Sequence, residues 1–359
     1  MKKFFAFSAM CATLVAVSSC GGSEKNEVVE PAEEATVWSD VNAFDTNGEA
    51  TGKEITNYGQ TGQIVSVDKF SVDKATKEMV HTDHVIYQNG RPVYANALKP
   101  SGEVEGHELY TYNEQGQLTE RVVETYSEGL KRIAPSSRYV YTYDANGDIT
   151  SIKEQKKTPK DWATDYEWTY KYDEQGRLSG RADYTGDGKE RKQGCQYGWS
   201  YEEGSNKVKQ LDYYTFDLKT NKLKHDSKTR YEYTANGQVK RATVIRHKAN
   251  QKRDDINSRL YTYEYNAAGQ QTVWLEQKWN NGSSSWYEVS SGSKEYDAAG
   301  QLVKTTTVKN TNKGTKFYNE VHTQGAPADK PNVAPAEPAF NVKPVIDLED
   351  KHLTSKEED

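Results

Sequence analysis

The sequence predicts an all-β protein, a long antiparallel meander of about nine two-strand repeats that is curled or closed into a barrel-like sheet. A nine-residue phrase recurs six times, and its glycines, together with Gly204 of a degenerate copy, are spaced 28 to 33 residues apart. The chain also has 25 Tyr and 7 Trp against 8 Phe, a composition that suits sheets. A fixed period of this length indicates one supersecondary unit used repeatedly. The phrase glycines are Gly116, Gly147, Gly176, Gly237, Gly269 and Gly300.

Each repeat reads as a strand, a tight turn and a second strand. In Tyr139-Val-Tyr-Thr-Tyr143 the aromatic residues alternate, which predicts a strand with its rings on one face. The following Asp/Asn-x-x-Gly favours a type I turn with the glycine in a left-handed conformation and a G1 bulge. Weaker copies around Gly62 and Gly90 complete the nine units, which predict about eighteen strands.

The bulged turn sets the last tyrosine of each phrase opposite an aliphatic residue, as in Tyr143 with Ile149. Such aromatic–aliphatic pairs form a continuous stripe along the sheet. Gln271 replaces the aliphatic residue opposite Tyr265. We therefore expect that unit to be looser or wet at its centre.

The first twenty residues read as an export signal. Lys2 and Lys3 precede an apolar stretch, and Val17-Ser-Ser-Cys20 closes it with small residues. This ending resembles the lipobox of bacterial lipoproteins, which implies a lipid on Cys20. Gly21 stands where Asp is associated with inner-membrane retention, so the resemblance implies an outer-membrane anchor, facing either outward or into the periplasm. The alternative is an ordinary cleaved signal whose cysteine is incidental.

Composition divides the remaining chain into three parts. Residues 21–40 are polar and acidic, which is typical of a flexible tether. Residues 41–318 hold the β-hairpin repeats. Residues 319–359 form a Pro-rich tail that we expect to be disordered. Half of the ten prolines lie there, within eighteen residues: Pro327, Pro331, Pro335, Pro338 and Pro344.

Charge and cysteine content exclude several classes. Loss of Lys2 and Lys3 leaves 45 Lys and Arg against 53 Asp and Glu, which argues against nucleic-acid binding. The repeat strands lack the lipid-facing alternation of a membrane barrel, so we expect a soluble domain. With Cys11 and Cys20 in the signal, Cys195 is alone and no intramolecular disulfide is expected. Cys195 reads as a half-buried small residue, the alternative being a reactive thiol.

The Tyr-Asp-x-x-Gly-Arg/Gln-Leu phrase resembles the YD repeats of Rhs-type proteins, and those of uncharacterised YD-repeat-like bacterial lipoproteins with a porin-like β fold. The resemblance covers about residues 58–305. It implies a long antiparallel meander and carries no catalytic residues.

Motifs for catalysis, cofactors or metals are absent from the sequence. His81 and His84 are the closest pair of the seven histidines, but on a regular strand their imidazoles would point to opposite faces. We therefore predict no cofactor and no metal site. Paired carboxylates in the turns leave a hydrolase open as an alternative, because glycosidases need no local motif.

The sequence predicts long, dissimilar and mostly basic connections at the end of the sheet opposite the glycine turns. Exposed Trp beside Lys and Arg suits stacking on sugars or contact with anions, so we predict a binding rim there. The alternative is that these lysines only keep the loops soluble. The predicted rim residues are Lys156, Lys157, Lys160, Trp162, Lys189, Arg191, Lys192, Arg246, Lys248, Trp279 and Trp286.

Together these features predict a non-catalytic, lipid-anchored envelope protein that acts as a binding or scaffold module for a glycan or another envelope protein. One alternative is a structural accessory lipoprotein of an outer-membrane complex, held by its tail. The other is a hydrolase acting on polysaccharide. The expected contacts are the membrane through the lipid and a glycan or envelope protein, with no nucleic acid; the oligomeric state is left open.

Overall fold

The computed structural model describes residues 37–188, 191–217, 219–246, 258–311 and 314–325. Every regular element in them is a β-strand, and none of the described residues forms a helix that could span a membrane. The strands are β1 (Val37–Phe44), β2 (Ala50–Tyr58), β3 (Ile64–Val72), β4 (Met79–Gln88), β5 (Arg91–Leu98), β6 (Val104–Tyr112), β7 (Leu118–Ser127), β8 (Arg132–Tyr143), β9 (Ile149–Lys157), β10 (Trp162–Tyr172), β11 (Leu178–Thr185), β12 (Lys192–Tyr201), β13 (Val208–Asp217), β14 (Lys222–Tyr233), β15 (Val239–Arg246), β16 (Arg259–Tyr265), β17 (Gln271–Asn280), β18 (Ser285–Tyr296), β19 (Leu302–Thr311) and β20 (Gly314–Gly325).

The strands form one closed antiparallel barrel. Each strand pairs with the next along the chain, and β20 returns to pair with β1. Closure aligns Val41 with His322 and Ala43 with Glu320. The meander alternates direction at every step, so the glycine turns that follow the tyrosine strands all lie at one end, here called the turn end.

The repeat turns show the hydrogen bonds of a bulged hairpin. In the turn after β8, the Gly147 amide donates to the Asp144 carbonyl at 3.1 Å, and the Asp148 amide donates to Asp144 Oδ1 at 2.9 Å. The register shifts beside Tyr143, which pairs with Ile149. The six phrase glycines have φ between +70° and +84°, a conformation that strains residues with a Cβ.

From β11 to β16 the face of the sheet that carries the repeat tyrosines, here called the tyrosine face, is buried and forms the inner surface of the barrel. On β14, Tyr231 and Thr229 are 8% and 1% exposed, whereas the intervening Arg230 and Glu232 are exposed. The pairing carries this face across the sheet, through Ala242 on β15 and Tyr261 on β16. A hydrophobic cluster centred on β11 to β16 lies on it.

Tyrosine hydroxyls connect each unit to the preceding one. The hydroxyl of the last tyrosine in a phrase donates to a backbone carbonyl in the preceding unit. The acceptor is the first residue of that unit's second strand, except for Tyr112, which donates to Pro92 on β5. Tyr143 donates to Leu118 at 2.7 Å, and Tyr172 donates to Ile149 at 2.9 Å. A Phe could fill the same space but could not make this bond. The donors of this tyrosine ladder are Tyr112, Tyr143, Tyr172, Tyr201, Tyr233, Tyr265 and Tyr296.

Three features differ from the sequence-based expectation. The described strands number 20 rather than about eighteen, because β1 and β20 lie outside the repeats. The sheet therefore begins before residue 41 and ends after residue 318, within the ranges predicted as tether and tail. Several connections opposite the turn end have only four residues, because the basic and Trp residues continue the strands: Lys157 pairs with Trp162 on β9 and β10.

Candidate functional site

A cavity of about 630 Å³ lies on the inner surface of the barrel, against β15 to β19. Gln238 and Gln271 follow the turns of Gly237 and Gly269 closely, so the cavity sits just inside the turn end. Its lining combines aromatic rings with a few polar groups. The lining residues are Gln238, Val239, Tyr261, Tyr263, Tyr265, Gln271, Trp274, Glu276, Ser290, Lys294 and Thr305.

Alternation along β16 and β17 builds the aromatic wall. Tyr261, Tyr263 and Tyr265 occupy successive inward positions of β16, and Trp274 is the cross-strand partner of Tyr263. Gly292 on β18 pairs with Trp274, and a Cβ at Gly292 would lie 2.1 Å from the indole Nε1. A larger residue there would therefore displace the indole. The glycine gives Trp274 its position in the wall.

A charged hydrogen-bond cluster forms the floor of the cavity. Glu276 pairs with Arg259, and both side chains are about 15% exposed. Ser290 Oγ donates to Glu276 Oε2 at 2.9 Å, and the Tyr261 hydroxyl donates to Oε1 at 3.3 Å. Burial, and then the charge of Glu276, raise the pKa of Tyr261 to about 12. Burial likewise raises the pKa of Tyr263. Both phenols stay protonated near pH 7, and the Tyr261 hydroxyl, which donates to Glu276, can still accept a hydrogen bond from a ligand.

The cavity lies where the repeat pattern is broken. In four sister units the residue opposite the last tyrosine is aliphatic and buried, as with Ile149 at 7% and Leu178 at 3% exposure. Gln271 takes that place opposite Tyr265 and lines the cavity. The irregularity at Gln271 is visible in the sequence, but the predicted binding rim lies at the opposite end of the barrel.

The residues of the predicted rim that the structure describes lie at the end opposite the turn end, mostly in strand termini, and are spread from β9 to β18. Lys189 and Lys248 lie outside the described residues, as does Cys20. Two of the cations are already paired. Lys156 Nζ lies 2.5 Å from Asp165 Oδ2, and Arg191 Nε lies 2.7 Å from Glu167 Oε2. This pairing reduces the positive charge that the rim offers to an anion.

The rim tryptophans also have partners within the protein. Arg138 and Lys157 lie 4.7 and 5.1 Å from the Trp162 ring centroid. Trp279 and Trp286 are cross-strand partners whose rings meet edge to face at 5.3 Å. These contacts cover part of the aromatic surface that the rim could offer to a ligand.

Cys195 lies on the inner surface beside a charged pair. Its Sγ is 3.1 Å from Asp183 Oδ2, and Asp183 also binds Arg181 through two contacts of 2.9 and 3.1 Å. Burial, followed by the charge of Asp183, raises the thiol pKa to about 12. This pKa corresponds to a thiol with negligible thiolate at neutral pH, which disfavours nucleophilic chemistry.

The prediction that the imidazoles of His81 and His84 point to opposite faces of the sheet was wrong. The register between β3 and β4 shifts so that Phe70 pairs with His81 while Lys69 pairs with Asp83, which leaves Thr82 as an extra residue. This bulge turns both imidazoles toward Asp68. His81 Nε2 lies 3.1 Å and His84 Nδ1 lies 2.6 Å from Asp68 Oδ1. The regular alternation assumed from the sequence does not hold across a bulge.

Comparisons with known proteins give structural neighbours but no family. No protein-family model matches the chain, and no curated protein matches it. The structure titled TcdB2-TccC3-Cdc42 aligns with a TM-score of 0.31 and 14% identity over 76% of this chain, which spans about 15% of that chain's length. A porin-like protein from Bacteroides uniformis ATCC 8492 aligns with a TM-score of 0.38 and 10% identity, over 81% of this chain and 96% of the other. A DUF3836 family protein from Parabacteroides distasonis ATCC 8503 aligns with a TM-score of 0.18 and 19% identity, over 33% of this chain and 87% of the other.

Proposed function

We propose that this protein is a non-catalytic, lipid-anchored envelope protein that binds a glycan in the cavity on the inner surface of its barrel. The observation that carries the proposal is the cavity wall of three tyrosines and Trp274 above the Glu276 cluster. Aromatic faces pack against the apolar C–H faces of sugars, and the carboxylate and hydroxyl groups bind sugar hydroxyls. The volume of about 630 Å³ lies within the range common for ligand sites, roughly 300–1,000 Å³.

The outer face supports a soluble barrel made of two-strand units. Lys171, Arg230, Glu232 and Glu264 lie on the outer face, one to three residues before the tyrosine that ends each strand, and are exposed. A lipid-facing barrel keeps its outward strand positions apolar. Attachment to the outer membrane would then depend on a lipid at Cys20, with the barrel held in water beside the membrane.

The cavity favours binding over hydrolysis. Glycosidases use two carboxyl groups about 5–9.5 Å apart across the scissile bond. Among the lining residues of this cavity Glu276 is the only carboxylate, and Arg259, Ser290 and Tyr261 already contact it. The site therefore lacks the second acidic group that polysaccharide hydrolysis requires.

A glycan-array screen of the full-length protein, followed by calorimetric titration with the best ligand, tests this function. Trp274→Ala and Tyr263→Phe remove a stacking surface and a hydroxyl from the cavity. We expect each to weaken binding about tenfold or more, because stacking and buried hydrogen bonds contribute on the order of 1–3 kcal/mol. The matched control is Trp286→Ala at the rim, which should bind normally.

Two results would contradict the proposal. One is that no glycan of the array binds the wild-type protein. The other is that Trp286→Ala abolishes binding while both cavity variants bind normally, which would move the site to the predicted rim. Circular dichroism and melting curves of each variant confirm that loss of binding is not loss of folding.

A further inference from the structure

Three potential metal ligands converge on the face of the sheet opposite the tyrosine face. Asp68 comes from β3, and His81 and His84 come from β4. One ligand atom of each lies within 4.8 Å of the others. Their side chains are 17%, 32% and 8% exposed, so His81 offers an ion a route from solvent. The cluster is separate from the glycan cavity, which is built by β15 to β19.

We propose that Asp68, His81 and His84 form a binding site for a divalent transition-metal ion such as Zn²⁺. Two imidazole nitrogens and one carboxylate oxygen are a donor set that Zn²⁺ and its neighbours prefer, whereas Ca²⁺ and Mg²⁺ prefer oxygen alone. Zinc bonds of about 2.0–2.2 Å in tetrahedral geometry place ligand atoms roughly 3.3 Å apart. The observed 2.6 and 3.1 Å need only small side-chain rotations to reach that spacing. Water would complete the coordination.

Neighbouring groups orient these ligands. Asn57 Nδ2 donates to Asp68 Oδ2 at 3.0 Å, which directs the other carboxylate oxygen, Oδ1, toward the histidines. The Phe70 ring stacks on His81 at 4.6 Å and holds the imidazole plane. Outer contacts of this kind fix ligand orientation in metal sites. His81 Nε2 also contacts the Asp83 carbonyl at 2.9 Å, and metal binding at Nε2 would replace the proton shared there.

The competing explanation is a hydrogen-bonded His–Asp–His cluster that only joins β3 to β4. The barrel contains a natural comparison, because His225 Nε2 lies 2.9 Å from Asp212 Oδ1, and within the described part of the chain this pair is not part of a group of three metal-ligand residues. A single His–Asp pair provides two ligands and binds metal weakly. Comparing zinc binding at the two sites therefore distinguishes a metal site from an ordinary ion pair.

The experiment is calorimetric titration of the full-length chain, purified without a histidine tag and treated with EDTA, with ZnCl₂. We expect one equivalent to bind with micromolar or tighter affinity. His81→Gln and Asp68→Asn should each weaken binding at least about tenfold, while His225→Gln should bind as wild type. Co²⁺ bound in place of Zn²⁺ should give visible absorption bands that His81→Gln abolishes.

Absence of stoichiometric zinc binding by folded wild-type protein would overturn the proposal, as would unchanged affinity in both His81→Gln and Asp68→Asn. His81 is the most exposed ligand, so its substitution is the variant least expected to disturb folding. Melting curves without metal check this point. Zinc should raise the melting temperature of wild type and of His225→Gln only, because binding to the native state alone stabilises it.

Discussion

The tyrosine ladder gives a direct test of why the repeat uses Tyr rather than Phe. Tyr143→Phe keeps the ring but removes the hydroxyl that donates to the Leu118 carbonyl at 2.7 Å. The net loss of such a bond is about 0.5–1.5 kcal/mol, so we expect the free energy of unfolding to fall by about 1 kcal/mol. The carbonyl belongs to Leu118, a residue that is 5% exposed, and water replaces the lost donor poorly there.

Because the same hydrogen bond recurs in several units, the losses in unfolding free energy from several Tyr→Phe substitutions can be added. Tyr143, Tyr201 and Tyr265 lie in units that do not adjoin one another, and their bonds to Leu118, Leu178 and Val239 share no partner. Distant substitutions usually add, so the triple Tyr→Phe variant should lose about 3 kcal/mol. That is a large fraction of the roughly 5–15 kcal/mol by which proteins are stable.

Urea unfolding followed by tryptophan fluorescence measures these losses as a lower midpoint at unchanged slope. The control is Tyr141→Phe, two residues away on the same face, whose hydroxyl makes no hydrogen bond to the described residues. Equal urea midpoints for Tyr143→Phe and Tyr141→Phe would show that the ladder hydrogen bond does not stabilise the barrel. A triple variant no less stable than the single one would show the same.

Four further predictions follow from the turns, the thiol, the rim and the signal. Gly176 has a φ of +70°, so Gly176→Val should cost about 1–3 kcal/mol in urea unfolding, whereas Gly180→Ala, at a glycine of ordinary φ, should cost well under that; equal losses would contradict the turn model. With its pKa raised from 9.0 to about 12, Cys195 should react with iodoacetamide at pH 8 about 10³-fold more slowly than a free thiol, and faster as pH rises; mass spectrometry against Cys195→Ser measures this, and rapid labelling of the folded protein would count against it. Neutralising Lys156, Lys157 and Lys160 with Gln should leave glycan affinity within about twofold, since Lys156 already pairs with Asp165, and a tenfold loss in calorimetry would restore the rim as the binding site. Cys20→Ser should release the protein from membranes into the soluble fraction, and a variant that remains membrane-bound would exclude the lipid anchor.

The repeat phrase was sufficient to predict the hairpins, because turn chemistry and alternation are local properties. Tyr143 faces Ile149 as the bulged turn requires. The ladder could not be foreseen, since the Tyr143 hydroxyl reaches a carbonyl 25 residues earlier, and that distance depends on how units stack. β1 and β20 carry no phrase and were assigned in part to tether and tail. Their strand structure comes from pairing with each other and with the ends of the meander.

The candidate sites depended on tertiary features to different degrees. The Gln271 irregularity marked the unit that borders the cavity, but only the closed sheet shows that Trp274 and Glu276 join it. The cluster of Asp68, His81 and His84 depends on one extra residue in β4, and a bulge of this kind leaves no clear mark in the sequence. Sequence alone therefore predicts the walls of this barrel better than the sites they form.

Closure of the barrel has a consequence for how the chain folds. Most strand pairs join near neighbours, so successive hairpins can form as the chain emerges, but β1 must wait for β20, about 280 positions later. Until then the growing sheet has two open edges, which can pair with other chains. We expect the slowest folding step to be this final pairing. A chain that stops before Gly314 should aggregate, even though every glycine turn of the repeat is present.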